Sequence, residues 1–205
     1  VHVVDYYLKA VESVTGKRAQ AKFVFGDNEQ AQNSALEMLR RAGVNTNNYC
    51  VLIPGSAHAR KNWPAANYSR LAEKIKAEYG FDIVTVGTGA ERAITQAVAK
   101  GAKTGIFDMA GRTNILELVA MLKHARLVVG NDTGPGQIAG VMDVPAVLIF
   151  GHSNPIRIHP YGKREAVVAH NPYGRGYKVH NMESIYKIDR ITVDDVFAKV
   201  SELLD

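Results

Sequence analysis

The sequence predicts an α/β fold, a Rossmann-like parallel sheet of about six strands with helices on both faces. Three observations carry this prediction. Short apolar runs alternate with stretches of helical period. The runs are apolar throughout rather than at every second position, as strands buried on both faces require. Each run is followed at once by a polar, glycine-rich turn: Pro54-Gly55-Ser56, Gly87-Thr88-Gly89, Gly111-Arg112-Thr113, Asn131-Asp132-Thr133-Gly134 and Gly151-His152-Ser153-Asn154-Pro155.

In chain order, Val3, Val4, Tyr7 and Val11 share one face of a lead-in helix, and Lys22–Phe25 reads as extended. A helix spans about Asn28 to Arg41 and stops at Gly43. Tyr49–Ile53 is a buried strand. Pro64 opens a helix carrying Tyr68, Leu71, Ala72, Ile75 and Tyr79 on one stripe, and Gly80 ends it. Phe81–Val86 is a strand, Ala90–Lys100 a helix and Ile106–Ala110 a short strand. Asn114 with Glu117 forms a capping-box variant before the stripe Ile115, Leu118, Val119 and Leu122. Leu127–Val129, Ala146–Phe150 and Ala166–Ala169 are further strands, and Val193–Leu204 is the last helix. The stretch from His152 to Ser184 reads as loops and short pieces. Residues 1–45 are expected to be a linking region with the first helices, and 46–205 a nucleotide-sugar-binding domain, in one compact unit.

The 205 residues are 46% hydrophobic and 22% charged, ordinary for a globular protein with a real core. The single Cys50 forms no internal disulfide, and there is no signal peptide or apolar run of membrane-spanning length, so the expected location is cytoplasmic, peripheral on the inner membrane face. The net charge of +5 suits nucleic acid, a membrane surface or phosphorylated ligands without choosing among them, and no Lys/Arg run is dense enough to argue for nucleic acid. The chain starts at Val1 rather than Met, and is expected to be a piece of something longer.

Right-handed crossovers place all five turns on one sheet edge, where open α/β sheets bind ligands. In Gly130-Asn131-Asp132-Thr133-Gly134-Pro135-Gly136-Gln137, Pro135 fits the first helical position, and the N–H groups of Thr133, Gly134 and Gly136 cluster into an anion site. Asp132 beside them offers a free carboxylate for sugar hydroxyls or a cation. Lys61, held just before Asn62-Trp63-Pro64, is the ligand cation of its loop; Arg60 and His58 read as solvated, and Trp63 as packing. Glu91 either serves the helix start or binds a ligand hydroxyl. Gly87-Thr88-Gly89 with Asp108 downstream suggests a dinucleotide site, but the third glycine is Arg92. The histidines show no metal spacing, and no Ser sits in a GxSxG elbow.

The ordered set Pro54–Pro64, Val86–Arg92, Met109–Thr113, Gly130–Pro135 and Phe150–Pro155 resembles glycosyltransferase family 9, the ADP-heptose:lipopolysaccharide heptosyltransferases and their relatives. The resemblance runs from about Cys50 to Gly162 and implies the C-terminal, donor-binding half of a GT-B enzyme. It implies that Ser56 and Lys61 contact the diphosphate, Glu91 the ribose, Thr113 the base and Asp132 the donor sugar, with N–H bonds from Thr133 and Gly134 to phosphate. The family's Met-His pair is replaced by Gly136-Gln137, so Gln137 brings an uncharged amide to that place.

The family's catalytic carboxylate lies in an N-terminal acceptor-binding domain, so this chain is expected to hold no catalytic base, with Lys61 as leaving-group stabiliser. The implied reaction is inverting transfer of a sugar, heptose first, from a nucleoside-diphosphate sugar such as ADP-heptose to a lipopolysaccharide-core-like glycolipid acceptor. No cofactor is firmly implied; Mg2+ near the diphosphate is left open. Three alternatives stay open: a non-catalytic nucleotide-sugar-binding module, a family-9 transferase for another sugar, and a nicotinamide-dependent oxidoreductase fragment.

Overall fold

A computed structural model describes residues 1–205. Six strands form one sheet in the order β3-β2-β1-β4-β5-β6, all parallel. They are β1 (Tyr49–Ile53), β2 (Asp82–Thr85), β3 (Ile106–Asp108), β4 (Leu127–Asn131), β5 (Ala146–Phe150) and β6 (Val167–Ala169). The helices are α1 (Val3–Thr15), α2 (Glu29–Arg41), α3 (Ala65–Tyr79), α4 (Arg92–Gly101), α5 (Ile115–His124), α6 (Gly134–Gly140), α7 (Pro155–Ile158) and α8 (Val193–Leu204). The strand order reverses between β1 and β4, so the chain leaves these two strands toward opposite ends of the sheet, and a crevice opens above their carboxyl ends.

Every residue of β1, β4 and β5 is buried, because both faces are covered. One face packs Val51, Val128, Leu148 and Phe150 against Leu39 and Met121. The other packs Leu52, Val129 and Val147 against Trp63, Leu71, Ile75, Val196 and Val200. Burying one such side chain contributes about 1.5–3 kcal/mol, so these two layers fix the strand positions on which the loops depend.

The local stop signals act as expected. Gly80 caps α3 in the left-handed conformation at φ 68, where its N–H meets the Lys76 carbonyl. Asn114 and Glu117 form the capping box of α5, and Thr192 and Asp195 form a second one on α8.

Four local details differ from the expectations or refine them. Lys22–Phe25 forms no strand, because no neighbouring strand edge receives it. The lead-in helix forms as α1, but it buries no residue, and Tyr7 and Val11 on its apolar face are exposed. The Ala90 helix begins as a 3-10 turn, Gly89–Glu91, because Thr88 and Glu91 cap each other and tighten the entry. On α5 the expected stripe holds at Leu118, Val119 and Leu122, which pack on the core beside Ala120 and Met121, but Ile115 stays exposed over the crevice. No helix is long and apolar enough to cross a membrane.

Candidate functional site

The crevice is built on Asn131, the last residue of β4, which is fully buried. Its Oδ1 accepts from the Trp63 backbone N–H (3.0 Å) and lies 3.0 Å from the Tyr68 hydroxyl, and its Nδ2 donates to the Pro54 carbonyl (2.8 Å). One amide thus ties the loops after β1 and β4 to the start of α3. In the sequence Asn131 stands only as the first residue of a polar turn. The signal was a polar residue closing an apolar strand, and nothing in the spacing named its partners. Trp63 is fully buried and donates through Nε1 to the Ile191 carbonyl (2.8 Å), which makes it a packing residue.

This clamp brings Lys61 to Asp132. Lys61 Nζ donates to Asp132 Oδ2 at 2.6 Å and reaches the Asp132 carbonyl at 3.3 Å. Their side chains are 19% and 7% exposed, so the pair is largely desolvated. The expectation of a free Asp132 carboxylate is therefore corrected: Oδ2 holds Lys61, and Oδ1 accepts from Gln137 Nε2 at 2.9 Å. Gln137 Nε2 also donates to the Ile158 carbonyl at 2.9 Å, so both of its amide protons are used. Gln137 braces the back of Asp132.

The turn itself differs slightly from expectation. Thr133 is the N-cap of α6 and Gly134 the first helical residue, so Pro135 stands second rather than first. Thr133 Oγ1 accepts the Gly136 N–H at 3.4 Å. The Thr133 and Gly134 N–H groups meet no protein acceptor, which leaves two donors at the mouth of the crevice. A side chain at Gly136 would place Cβ 2.7 Å from the Asn131 carbonyl, so only glycine lets this turn close on β4.

A cavity of about 380 Å³ runs from these donors toward β2, lined by Gly55, Ser56, Gly87, Glu91, Thr113, Thr133 and Gly134, with Ile53, Val86, Ile115 and Leu118 at its apolar end. Glu91 Oε2 accepts from the Thr88 N–H (2.7 Å) and hydroxyl (2.9 Å), and Oε1 has no hydrogen-bond partner. Both readings of Glu91 are thus compatible: it caps its helix and keeps one oxygen for a ligand hydroxyl. The Ser56 hydroxyl donates to the His58 carbonyl at 2.7 Å, so it must turn before it can serve a phosphate.

Of the expected site residues, the structure gathers Ser56, Glu91, Thr113, Thr133 and Gly134 in this cavity and joins Lys61 to Asp132 at its edge. Asp132 and Gln137 line a second cavity of about 360 Å³, with His159, Tyr161, Phe23 and Phe25 on its other walls. Asp108 is consumed by the fold: it accepts from Thr85 (3.2 Å), Ala110 N–H (3.0 Å) and Thr95 (3.1 Å). This removes the ribose carboxylate that the nicotinamide reading needed.

Gly55 explains how Glu91 is placed. A Cβ there would stand 2.5 Å from Glu91 Cδ and Oε1. Gly55→Ala is therefore expected to push the Glu91 carboxylate aside at about 1 kcal/mol or less in stability, since a flexible side chain can yield. Adenosine binding should fall several-fold, and titration calorimetry beside a melting curve checks both.

The chain matches the family description "Glycosyltransferase family 9 (heptosyltransferase)" over residues 1–188. It is similar to the lipopolysaccharide core heptosyltransferase OpsX of Haemophilus influenzae, 24% identical over 170 residues, which cover 82% of this chain and 48% of that protein. Among solved structures it resembles the family-9 glycosyltransferase of Veillonella parvula, with TM-score 0.84, 22% identity, and coverage of 99% of this chain and 60% of that one. It also resembles the E. coli heptosyltransferase WaaC solved with ADP, with TM-score 0.68, 20% identity, and coverage of 98% and 57%. The chain spans about half the length of the curated relatives it matches. With this match and the parallel sheet, the chain belongs to glycosyltransferase family 9.

Proposed function

We propose that the chain is the donor-binding, C-terminal half of an inverting glycosyltransferase, and that its donor is a nucleoside-diphosphate sugar, with ADP-heptose as first choice. The carrying observation is the crevice between β1 and β4, where apolar side chains, a carboxylate oxygen without a partner and two N–H donors line one cavity. The apolar end suits a base, Glu91 Oε1 a ribose hydroxyl, and Ser56 with the Thr133 and Gly134 N–H groups a diphosphate. Asp132 faces the second cavity, where the donor sugar would lie, with Gln137 holding its carboxylate in place. The adenine preference rests on the ADP-bound relative.

In this reading an N-terminal partner domain brings the glycolipid acceptor and the carboxylate that takes its proton. The acceptor oxygen attacks the anomeric carbon as the bond to the diphosphate breaks. The charge gathering on the departing diphosphate is met by Lys61 and the turn donors, and one such preorganised contact is typically worth about 3 kcal/mol of barrier. A protein-held Mg2+ does not fit here. No group of three or more His, Cys, Asp or Glu side chains converges anywhere, and Asp132 is taken by Lys61 and Gln137.

The test is thermal unfolding with ADP-, GDP- and UDP-linked sugars, beside a transfer assay on a lipopolysaccharide-core acceptor. ADP-linked ligands at about a hundred times Kd should stabilise the chain by about 2.7 kcal/mol, and the chain alone should transfer nothing. Turnover by this chain alone would refute the division of labour. No shift with any nucleotide sugar would refute the donor site.

A further inference from the structure

The cavity of about 360 Å³ beside Asp132 offers acceptors and no matching donors. Phe23, Phe25, Ile138, Val141 and Ile158 are among its apolar walls, and its polar side chains are His2, Asp132, Gln137, His159 and Tyr161. Most of their polar atoms are engaged. His2 accepts the Val4 N–H at Nδ1 (3.1 Å) and bonds the His159 carbonyl through Nε2 (2.8 Å). The Tyr161 hydroxyl donates to Asp5 Oδ1 at 2.6 Å. Asp132 holds Lys61 and Gln137.

Two side-chain atoms have no partner, His159 Nε2 and Gln137 Oε1, and the bonds beside them make both acceptors. His159 Nδ1 stands 2.7 Å from the Pro155 carbonyl, which can only accept. Nδ1 therefore carries the proton, and Nε2 of the neutral ring a lone pair. Burial is the largest influence on this imidazole and holds it below the ordinary histidine value; His2 and Arg164 act in the same direction, and the Pro155 carbonyl and Asp5 oppose them. Gln137 Nε2 faces a carboxylate and a carbonyl, which fixes the other amide atom as the oxygen.

His159 is 6% exposed and firmly placed. Its backbone N–H closes the end of α7 on the Pro155 carbonyl at 2.9 Å, and its ring stands edge-on to His2 with centroids 4.5 Å apart. The Gln137 amide links Asp132 Oδ1 to the Ile158 carbonyl, so one side chain ties the carboxylate to the backbone next to the imidazole. The buried side-chain atoms without partners lie elsewhere, at Asn62, Ser153 and Arg157, so His159 Nε2 meets open space. A further cavity beside His159 measures about 10 Å³, room for one water at most. The larger cavity calls for a ligand that brings hydroxyl donors and carbon–hydrogen faces together, as a monosaccharide does.

We propose that His159 is a sugar-binding residue of the donor site, accepting at Nε2 a hydrogen bond from a hydroxyl of the transferred sugar. The inference rests on the donor-binding reading. In it, Asp132 and His159 flank the sugar, the nucleotide lies in the neighbouring cavity, and His159 senses the sugar and not the nucleotide.

The probes are ADP and ADP-heptose, and the quantity is the ratio of their dissociation constants, measured by calorimetry on the 205-residue chain. His159→Phe keeps a ring and removes the acceptor. The Pro155 carbonyl keeps the backbone N–H of residue 159, so the fold should tolerate the change. His159→Gln removes the ring and returns an oxygen near the place of Nε2. The preference for ADP-heptose over ADP should fall about three- to tenfold in His159→Phe and stay within about twofold in His159→Gln, with ADP affinity unchanged in both. A merely packed ring predicts the reverse order. A preference kept in His159→Phe, or lost equally in both variants, overturns the role of His159 and leaves the donor site standing. Nitrogen-15 NMR of the unaltered chain gives an answer even where a variant fails to fold. The Nε2 signal of His159 should move on adding ADP-heptose and hold still with ADP; no movement, or the same movement with both, overturns the role. No binding of either ligand overturns the donor-binding reading, and the role of His159 falls with it.

Discussion

Asn131→Ala is expected to lower the unfolding free energy by about 3–4 kcal/mol, the largest stability loss of any single polar substitution at the crevice. The alanine strands a buried Trp63 N–H and a buried Pro54 carbonyl and takes away one of two acceptors near the Tyr68 hydroxyl. Each stranded group bears an uncompensated desolvation cost of about 1–3 kcal/mol. In a chain of this length that amounts to roughly 10 °C in melting temperature. Asn131→Asp sharpens the argument. Its shape keeps the two acceptor contacts, but the contact to the Pro54 carbonyl becomes two oxygens facing each other. Burial and that carbonyl should raise the folded pKa of the new carboxyl, so this variant should gain stability as pH falls, when the protonated acid can donate to Pro54. Urea unfolding at several pH values decides it. A neutral Asn131→Ala would show that the loops hold their positions without the clamp.

Lys61→Ala should cost both stability and binding, and the two losses can be separated. It leaves Asp132 buried against Gln137 with no cation. Breaking a fully buried pair costs about 3–5 kcal/mol; partial exposure of Lys61 brings the expectation to about 2–3. ADP affinity should fall by about 10- to 100-fold and adenosine affinity by less than threefold, because the charge-assisted bond goes to phosphate. The double variant Lys61→Met with Asp132→Asn should recover the stability and not the ADP affinity. Equal losses for ADP and adenosine would move Lys61 off the phosphate.

The fold was legible because its signals are local. Tyr49–Ile53, Ala146–Phe150 and Val193–Leu204 stand where the sequence puts them, each bounded by turn or cap residues whose chemistry acts within a few positions. The site was legible where residues follow strands, since a parallel sheet sends all those turns to one edge. What sequence could not supply was who bonds whom. Asp132 looked free because its partners stand 71 residues upstream and five downstream, and only packing selects among Lys61, Arg60 and His58. Asn131 looked like one more residue of a polar turn for the same reason. The stretch from His152 to Ser184 has no periodicity, and its one bridge, between Ser153 and His180, left no sign in the sequence. The helix α1 was legible, but not the exposure of its apolar face, because an amphipathic pattern announces such a face and says nothing of what covers it.

The reversal of strand order between β1 and β4 also governs when this site comes into being. Lys61 and Asp132 can meet only after the chain has closed a 71-residue span containing α3, β2, α4, β3 and α5. Such a closure is entropically late, because the intervening units must already be packed for the ends to stay together. The crevice is thus a seam between two halves of the sheet, joined below by the β1–β4 ladder and at its mouth by one ion pair and one asparagine. A ligand lying across it would act as a rivet, slowing the parting of the halves more than it hastens their meeting. Nucleotide binding would then lengthen the lifetime of the native state.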